Sequence, residues 1–193
     1  AFAAIQEGID QVAAPGRVNV LSGTYLENIQ LRSQVTVAGA GGGGKPHTYF
    51  NPDEQSIVDG GNQGSVVSAI DVFNAALEGF RIVGGSGTPV PGLGYAGGGI
   101  YIENGGVTIR RCLIMSNTAD NGAGLLNYRS TAGAYLTPLV TDSVFCDNHA
   151  GLNGGAIANV GINTTITACR FDGNDAQNGI SVYHGVILED GVF

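Results

Sequence analysis

Hydrophobic and polar positions recur in the same order three times between residues 109 and 184. Each copy begins with an aliphatic residue, places a large apolar residue sixth and ends on an asparagine at its ninth position. The copies are Ile109 to Asn117, Val140 to Asn148 and Ile166 to Asn174. A second, glycine-containing phrase follows each copy and begins at Asn121, Asn153 and Asn178. The repeat unit is about 25 residues long, a period that is typical of solenoids.

The pattern before these repeats predicts one short helix followed by strands. Apolar residues at helical spacing are Phe2, Ile5, Ile9 and Val12. Pro15 and Gly16 end this helix, and short strands are predicted at 18–20, 26–31 and 35–37, with a turn at 22–24. We expect residues 1–16 to form an N-terminal cap, because an uncovered strand edge invites aggregation.

Strands that lie one repeat apart in a stack must be parallel, so equivalent residues lie above one another. One inward aliphatic ladder is predicted for Ile100, Leu125, Ile157 and Val182, and another for Ile82, Ile114, Phe145 and Phe171. A polar ladder at a turn is predicted for Asn117, Asn148 and Asn174, whose amides can bond to backbone groups of neighbouring repeats. The expected fold class is therefore all-β, a parallel solenoid with a short N-terminal helix.

Residues 1–193 are predicted to form a single domain. The coils of the solenoid occupy 17–193, with insertions near 39–56, 83–96 and 128–138, where the repeat is interrupted. The sequence ends at Phe193 soon after a repeat and without an evident second cap. We expect this end to continue in a longer chain or to be covered by another chain through self-association.

Composition and charge exclude several classes of protein. Hydrophobic residues make up 43% of the chain and charged residues 12%, which argues for a packed core and against disorder. The formal net charge is −8 and the eight basic residues are scattered, so we expect no nucleic-acid partner. No apolar run reaches the roughly 18 residues that a membrane-spanning helix needs, so no membrane span is expected.

The repeat also places the three cysteines. Cys112 and Cys169 occupy the same repeat position two strands apart, with Ser143 between them. Their expected separation of roughly 9.6 Å exceeds the limit of about 7 Å for a disulfide. Cys146 follows the inward Phe145 and should point outward. We therefore expect three unpaired cysteines that serve as packing residues rather than nucleophiles.

Several short segments resemble known β-helix families. Residues 5–10, 15–20 and 23–29 resemble the opening of right-handed parallel β-helix proteins of the pectin-lyase-like superfamily, although many members carry an acidic residue where this chain has Arg17. Residues 145–148, 154–157 and 171–174 resemble the paired short motifs of bacterial polymorphic outer-membrane proteins, whose passenger regions are surface β-helices associated with adhesion. These resemblances imply a right-handed parallel β-helix that is secreted or displayed at the cell surface.

The superfamily includes polysaccharide lyases and glycoside hydrolases as well as adhesins, so the fold does not decide the activity. Polygalacturonase-like enzymes carry Asn-Thr-Asp, Asp-Asp, Gly-His-Gly and Arg-x-Lys phrases, and this sequence has none of them. Its His184 lies in a Tyr-His-Gly phrase. Acidic residues for a calcium-dependent lyase are present, but without a diagnostic phrase. These observations favour a protein without catalysis.

One turn gathers the best candidates for chemistry. The alignment stacks Thr118, His149 and Asp175. The candidate acid-base residues are His149, Asp175 and Asp147, and the candidate calcium ligands are Asp120, Asp147, Asp172 and Asp175. The favoured alternative is that these residues only make local turn hydrogen bonds. Arg111 and Asp142 align on adjacent repeats and are expected to form a surface ion pair.

A binding face is predicted from the tyrosines. Its candidate residues are Tyr95, Tyr101, Tyr128, Arg129, Tyr135 and Tyr183. Tyr101 and Tyr183 share one outward repeat position, and the other four lie in or next to insertions. An exposed tyrosine offers a flat apolar ring and a hydroxyl, which suits sugar rings and protein interfaces. The alternative is that the rings only cover neighbouring coils.

Together these features predict a secreted or cell-surface β-helix that serves as a structural, adhesive or glycan-binding module without catalysis. Its expected partner is a polysaccharide or a cell-surface protein. The alternative function is that of a polysaccharide lyase or glycoside hydrolase acting on the surface of the coils. No cofactor is expected, and calcium is the one candidate.

Overall fold

A computed structural model of the chain describes residues 3–42, 55–130 and 136–185. In these segments the chain is nearly all β, with one α-helix, one short 3₁₀ helix at Ala40–Gly42 and four sheets. Most of the predicted insertion near 39–56 and part of the one near 128–138, including Tyr135, lie outside the described residues.

The predicted N-terminal helix is α1, Ile5–Gln11. Its apolar face buries Ile5 and Ile9, which are 3% and 0% exposed. The free backbone N–H groups at its start donate to the Glu27 carboxylate, from Ile5 at 3.0 Å and from Gln6 at 3.1 Å. A carboxylate at this end is favourable because the first N–H groups of a helix have no partner within it. No helix in the described part of the chain has the length and apolar character needed to cross a membrane.

Three parallel sheets of six strands each contain most of the chain. Sheet A consists of β1 (Gly16–Asn19), β4 (Val35–Ala38), β7 (Phe73–Glu78), β12 (Gly106–Arg110), β16 (Leu139–Thr141) and β20 (Thr165–Thr167). Sheet B consists of β2 (Gly23–Leu26), β5 (Ser56–Asp59), β8 (Phe80–Val83), β13 (Leu113–Met115), β17 (Val144–Cys146) and β21 (Arg170–Asp172). Sheet C consists of β3 (Ile29–Gln30), β6 (Val67–Ile70), β11 (Ile100–Glu103), β15 (Leu125–Tyr128), β19 (Ile157–Val160) and β22 (Val182–Gly185).

A smaller sheet D lies between sheets B and C in chain order. It consists of β9 (Thr88–Val90), β10 (Gly94–Ala96), β14 (Thr118–Asn121) and β18 (His149–Asn153). Strands β9 and β10 form an antiparallel hairpin, whereas β10, β14 and β18 pair in parallel. The chain visits sheets A, B and C repeatedly in this order, and we call one such pass a coil. The parallel sheets fit a β-helix-like solenoid.

The register of the sheets confirms both predicted apolar ladders. Residues of the first ladder pair in the order Ile100, Leu125, Ile157, Val182, and those of the second in the order Ile82, Ile114, Phe145, Phe171. The rings of Phe145 and Phe171 stack with their centroids 5.5 Å apart. Val182 is 40% exposed, because β22 has only one neighbouring strand in the described part of sheet C.

The predicted turn at 22–24 is wrong, because residues 23 to 26 form strand β2. Gly23 pairs with Ser56 and Tyr25 pairs with Val58. Pairing with the next coil therefore outweighs the turn propensity of Ser22 and Gly23. The predicted strand at 26–31 is divided, because Glu27 and Asn28 separate β2 from β3.

Two apolar clusters lie on opposite faces of sheet C. The inner cluster fills the space between sheets A, B and C, and it includes Ile100 and Ile102 of β11. Tyr101 lies between them in sequence and faces the other way. It belongs to a second group, which we call the outer cluster, formed by Val90, Leu93, Ala96, Tyr101, Leu126, Ala158 and Val160. The β9–β10 hairpin contributes Val90, Leu93 and Ala96, so it covers the outer face of sheet C.

Asparagine side chains join neighbouring coils, as predicted. The Asn148 amide nitrogen donates to the Ile114 carbonyl at 3.0 Å and to the Asn174 amide oxygen at 2.9 Å. The Asn148 amide oxygen accepts from the backbone and side-chain nitrogens of Asn117, at 3.2 and 3.0 Å. Asn117 and Asn148 are fully buried. The ladder therefore satisfies backbone groups that would otherwise be buried without partners.

A second asparagine ladder follows in sheet D. Asn153 donates from its amide nitrogen to Asn121 at 2.6 Å, and Asn178 donates to Asn153 at 3.1 Å. Gly122 follows with a φ of 61°, and a Cβ there would lie 2.4 Å from the carbonyl oxygen of Leu125. The repeated Asn-Gly phrase is thus explained by a ladder position followed by a left-handed turn.

Replacing Asn148 by leucine is expected to lower the free energy of unfolding by about 3 kcal/mol or more, because buried backbone groups lose their partners. The matched control is Asn163→Leu at an exposed position, which should change stability by less than about 0.5 kcal/mol. Urea denaturation of both variants measures the difference. Equal stability of the two variants would contradict the structural role of the ladder.

Candidate functional site

The β9–β10 hairpin is the most prominent departure from the repeat. Its turn contains Pro91 and Gly92, and the Leu93 N–H donates to the Val90 carbonyl at 3.0 Å. Gly92 has a φ of 78°. A type II turn requires a left-handed residue such as glycine at its third position, and proline is common at its second position. The insertion predicted near 83–96, which is rich in Gly and Pro, therefore contains a tight hairpin.

Two polar side chains from the next coil fix the hairpin in place. The Asp120 carboxylate accepts the Tyr95 backbone N–H at 2.8 Å, and the Asn121 amide donates to the Leu93 carbonyl at 2.6 Å. Ala96 pairs in parallel with Asn121. The apolar side chains of the hairpin pack on sheet C in the outer cluster. The hairpin is thus attached to the stack by strand pairing, side-chain hydrogen bonds and apolar packing.

The Tyr95 ring is presented to solvent from this hairpin. Tyr95 is 56% exposed and lies opposite Pro89 in the antiparallel pair. It borders an open groove with a volume of about 490 Å³. The residues that line the groove are Asn62, Gln63, Gly64, Ser86, Gly87, Pro89 and Tyr95. An aromatic ring beside amide and hydroxyl groups offers both a stacking surface and hydrogen-bonding groups.

Hydrogen bonds hold the two walls of the groove together. The Ser86 N–H donates to the Gly64 carbonyl at 2.9 Å, and the Gly64 N–H donates to the Ser86 hydroxyl at 3.0 Å. The hydroxyls of Ser65 and Thr88 lie 2.8 Å apart. The exposed side chains of Asn62 and Gln63 therefore extend from a turn that is connected to the hairpin.

The other predicted binding residues do not form one exposed face with Tyr95. Tyr101 is only 2% exposed, so its predicted exposure is wrong, because the hairpin covers its ring. Its hydroxyl donates to the Glu103 carboxylate at 2.6 Å. Tyr128 and Tyr183 are half-buried against the outer cluster. Arg129 is half-buried, and its backbone N–H donates to the Val160 carbonyl at 3.0 Å.

The predicted stack of Thr118, His149 and Asp175 is confirmed by the register. His149 Nδ1 lies 3.0 Å from Asp175 Oδ2, and the two side chains are 62% and 68% exposed. The pair is therefore open to solvent, and no wall excludes water from it. An oriented imidazole and carboxylate can exchange protons, but an exposed site does little to strengthen their interaction.

The carboxylates of three of the four candidate calcium ligands have separate partners. Asp120 accepts a hydrogen bond from the hairpin, and Asp172 forms an ion pair with Arg170. Asp175 pairs with His149, and the Asp147 N–H donates to the Asp172 carbonyl at 3.1 Å. Within residues 3–42, 55–130 and 136–185, no three His, Cys, Asp or Glu side chains are grouped so that they could hold a metal ion.

A cluster of charged residues on sheet A was missed by the sequence reasoning. The Glu78 side chain is 5% exposed and contacts the guanidinium groups of Arg17, Arg110 and Arg111. Arg111 therefore pairs with Glu78 rather than with Asp142, and the predicted Arg111–Asp142 pair is wrong. The available signal was the alignment of Leu77 with Ile109, which places Glu78 beside Arg110.

Comparison with known proteins supports the fold. No protein-family model matches the chain, and no curated protein matches it. A solved structure of a candidate glycosyl hydrolase from Parabacteroides merdae ATCC 43184 is similar, with a TM-score of 0.57 and 18% sequence identity. The similarity covers 97% of this chain and 90% of that chain. At this identity the likeness concerns the fold alone.

The cysteines are free thiols, and their surroundings disfavour the thiolate. Burial raises the pKa of Cys112 to about 12, and burial also raises the pKa values of Cys146 and Cys169. A buried thiol that holds its proton is a poor nucleophile. Cys112 lies in the inner cluster, and Cys169 packs against that cluster.

These raised pKa values predict a loss of stability at alkaline pH. The unfolded thiol of Cys112 titrates near 9, so its contribution is complete below that pH and is lost as the pH rises towards 12. The free energy of unfolding should fall as the pH rises from about 9 towards 12, and less steeply in Cys112→Ala. Urea denaturation at several pH values measures both slopes. Identical slopes would refute the assignment to Cys112.

Proposed function

We propose that this protein is a carbohydrate-binding β-helix that acts without catalysis, outside the cell or at its surface. The single observation that carries the proposal is the Tyr95 ring, which is exposed beside the Asn62 and Gln63 amides on a rigidly attached hairpin. Sugar rings have apolar faces and hydroxyl edges, and this groove offers a partner for each. A structural or adhesive role is compatible with the same binding surface.

The proposal includes the finer description of the fold. A right-handed, closed coil with α1 as its N-terminal cap is supported by the repeated order of sheets A, B and C and by the resemblance of the opening motifs. The buried face of α1 and its bonds to Glu27 support the capping role. The extracellular location rests on the resemblance of the repeated motifs to surface β-helices.

A second candidate function is glycoside hydrolysis or polysaccharide cleavage at His149 and Asp175. The hydrogen-bond distance between these side chains and the name of the similar structure favour it. Glycoside hydrolases usually use two carboxyl groups on opposite sides of the scissile bond. Here the nearest partner of Asp175 is an imidazole, and the carboxylate of Asp172 is paired with Arg170. This difference makes binding the better supported function.

Replacing Tyr95 by alanine should weaken carbohydrate binding at least tenfold, because truncation of a stacking ring costs about 2 kcal/mol. Immobilised neutral and acidic polysaccharides first identify a ligand, and titration of that ligand then gives the affinity. Tyr95→Phe should keep most of the binding. The matched control is Phe73→Ala, which removes an aromatic ring that is 44% exposed in sheet A. Equal loss in both alanine variants would argue against the groove.

The catalytic alternative predicts cleavage products. The wild-type protein is incubated with the same polysaccharides, with calcium and with a chelator, and new reducing ends and unsaturated products are measured. We expect binding without cleavage under both conditions. Reproducible cleavage that is abolished in His149→Ala and Asp175→Asn would replace the binding proposal by the catalytic one. Cleavage that persists in both variants would place the chemistry at another site.

A further inference from the structure

Glu78, Arg17, Arg110 and Arg111 form a compact group on the outer face of sheet A, which we call the arginine cluster. Arg110 Nη2 lies 2.7 Å from Glu78 Oε1, and the Nη2 atoms of Arg17 and Arg111 each lie 3.5 Å from Oε2. The Glu78 side chain is 5% exposed, whereas those of the arginines are 50%, 44% and 32% exposed. The carboxylate is thus covered by guanidinium groups that still reach solvent.

The charges of the cluster do not balance. Three guanidinium groups surround one carboxylate, which leaves two positive charges in excess. The whole chain has a formal net charge of −8 and only eight Lys and Arg residues, so three of its eight cations converge on one point. Like charges at this distance repel one another, and a further anion would lower the electrostatic energy of the group.

The cluster also has unused hydrogen-bond donors. An arginine side chain carries five N–H donors, and the contacts with Glu78 use only part of them. Arg17 Nε donates to the Asn19 side chain at 2.9 Å. Arg111 Nε is buried and has no hydrogen-bond partner among the described residues. This atom is closed off from solvent, so the donors available to a ligand are those on the exposed parts of the three arginine side chains.

We propose that the arginine cluster is a binding site for an oxyanion, namely phosphate or sulfate, either free or as an ester on a sugar. Guanidinium groups bind such anions through paired N–H donors, and an excess of two positive charges matches a doubly charged anion. Glu78 holds the three guanidinium groups together before the ligand arrives, which reduces the cost of ordering them. The site uses no residue of the Tyr95 groove, so it is independent of the proposed carbohydrate binding.

Calorimetric titration with sodium phosphate tests the proposal, with sodium chloride at equal ionic strength as the blank. We expect saturable binding of phosphate to the wild-type chain and at least a tenfold weaker affinity in Arg110→Gln and in Arg17→Gln. The matched control is Arg170→Gln, which removes an exposed arginine that pairs with Asp172 in sheet B. Binding that is absent in the wild type, or that is equally weakened in the control, would overturn the proposal.

Two further measurements sharpen the assignment. Glu78→Gln removes the internal counter-charge, while the glutamine side-chain oxygen can still accept hydrogen bonds from the guanidinium groups and keep them in place. Phosphate binding should therefore tighten, and an unchanged or weaker affinity in a folded variant would contradict the charge argument. If that variant does not fold, the affinities of the arginine variants still test the proposal.

The affinities of the wild-type chain for glucose 6-phosphate, phosphate and glucose are then compared. Tighter binding of the ester than of free phosphate identifies a sugar ester as the ligand, equal binding identifies the free anion, and equal binding of glucose would refute an oxyanion site.

Discussion

The in-register stacking of buried asparagine amides is the interaction on which the rest of this structure depends. Asn148 bonds to Asn117 on one side and to Asn174 on the other, and it also binds the backbone of the neighbouring coil. A shift of one residue would turn the apolar positions outward and leave these amides without partners. The amides therefore select the register, and the register then places every ladder of the inner cluster.

The same register creates the platform for the hairpin. Because Ile100 and Ile102 face inward, Tyr101 and Leu126 must face outward, where they would be an exposed apolar patch. The hairpin covers this patch and exposes Tyr95 instead. Packing of the hairpin on sheet C thus buries Tyr101 and exposes Tyr95. The same packing holds the backbone that carries the Tyr95 ring.

Much of the fold could be predicted because it repeats. The apolar ladders, the asparagine ladder and the stack of His149 on Asp175 follow from spacing alone. The site could be predicted only in part, since it depends on contacts that break the period. The burial of Tyr101 requires that an insertion folds back on sheet C, and Glu78 contacts arginines from two other coils, Arg17 from one and Arg110 and Arg111 from another. Such contacts join distant residues, and no local pattern indicates them.

Residues at the repeated positions mostly contact one another. Their side chains either fill the inner cluster or form hydrogen bonds to neighbouring coils. Few of their side-chain groups are therefore exposed to solvent. Exposed groups without a full set of partners lie at two places. One is Tyr95, where the repeat is interrupted, and the other is the arginine cluster, where positive charges outnumber negative ones. The residues of the ladders therefore hold the coils together, whereas Tyr95 and the arginine cluster keep aromatic and cationic groups exposed to solvent.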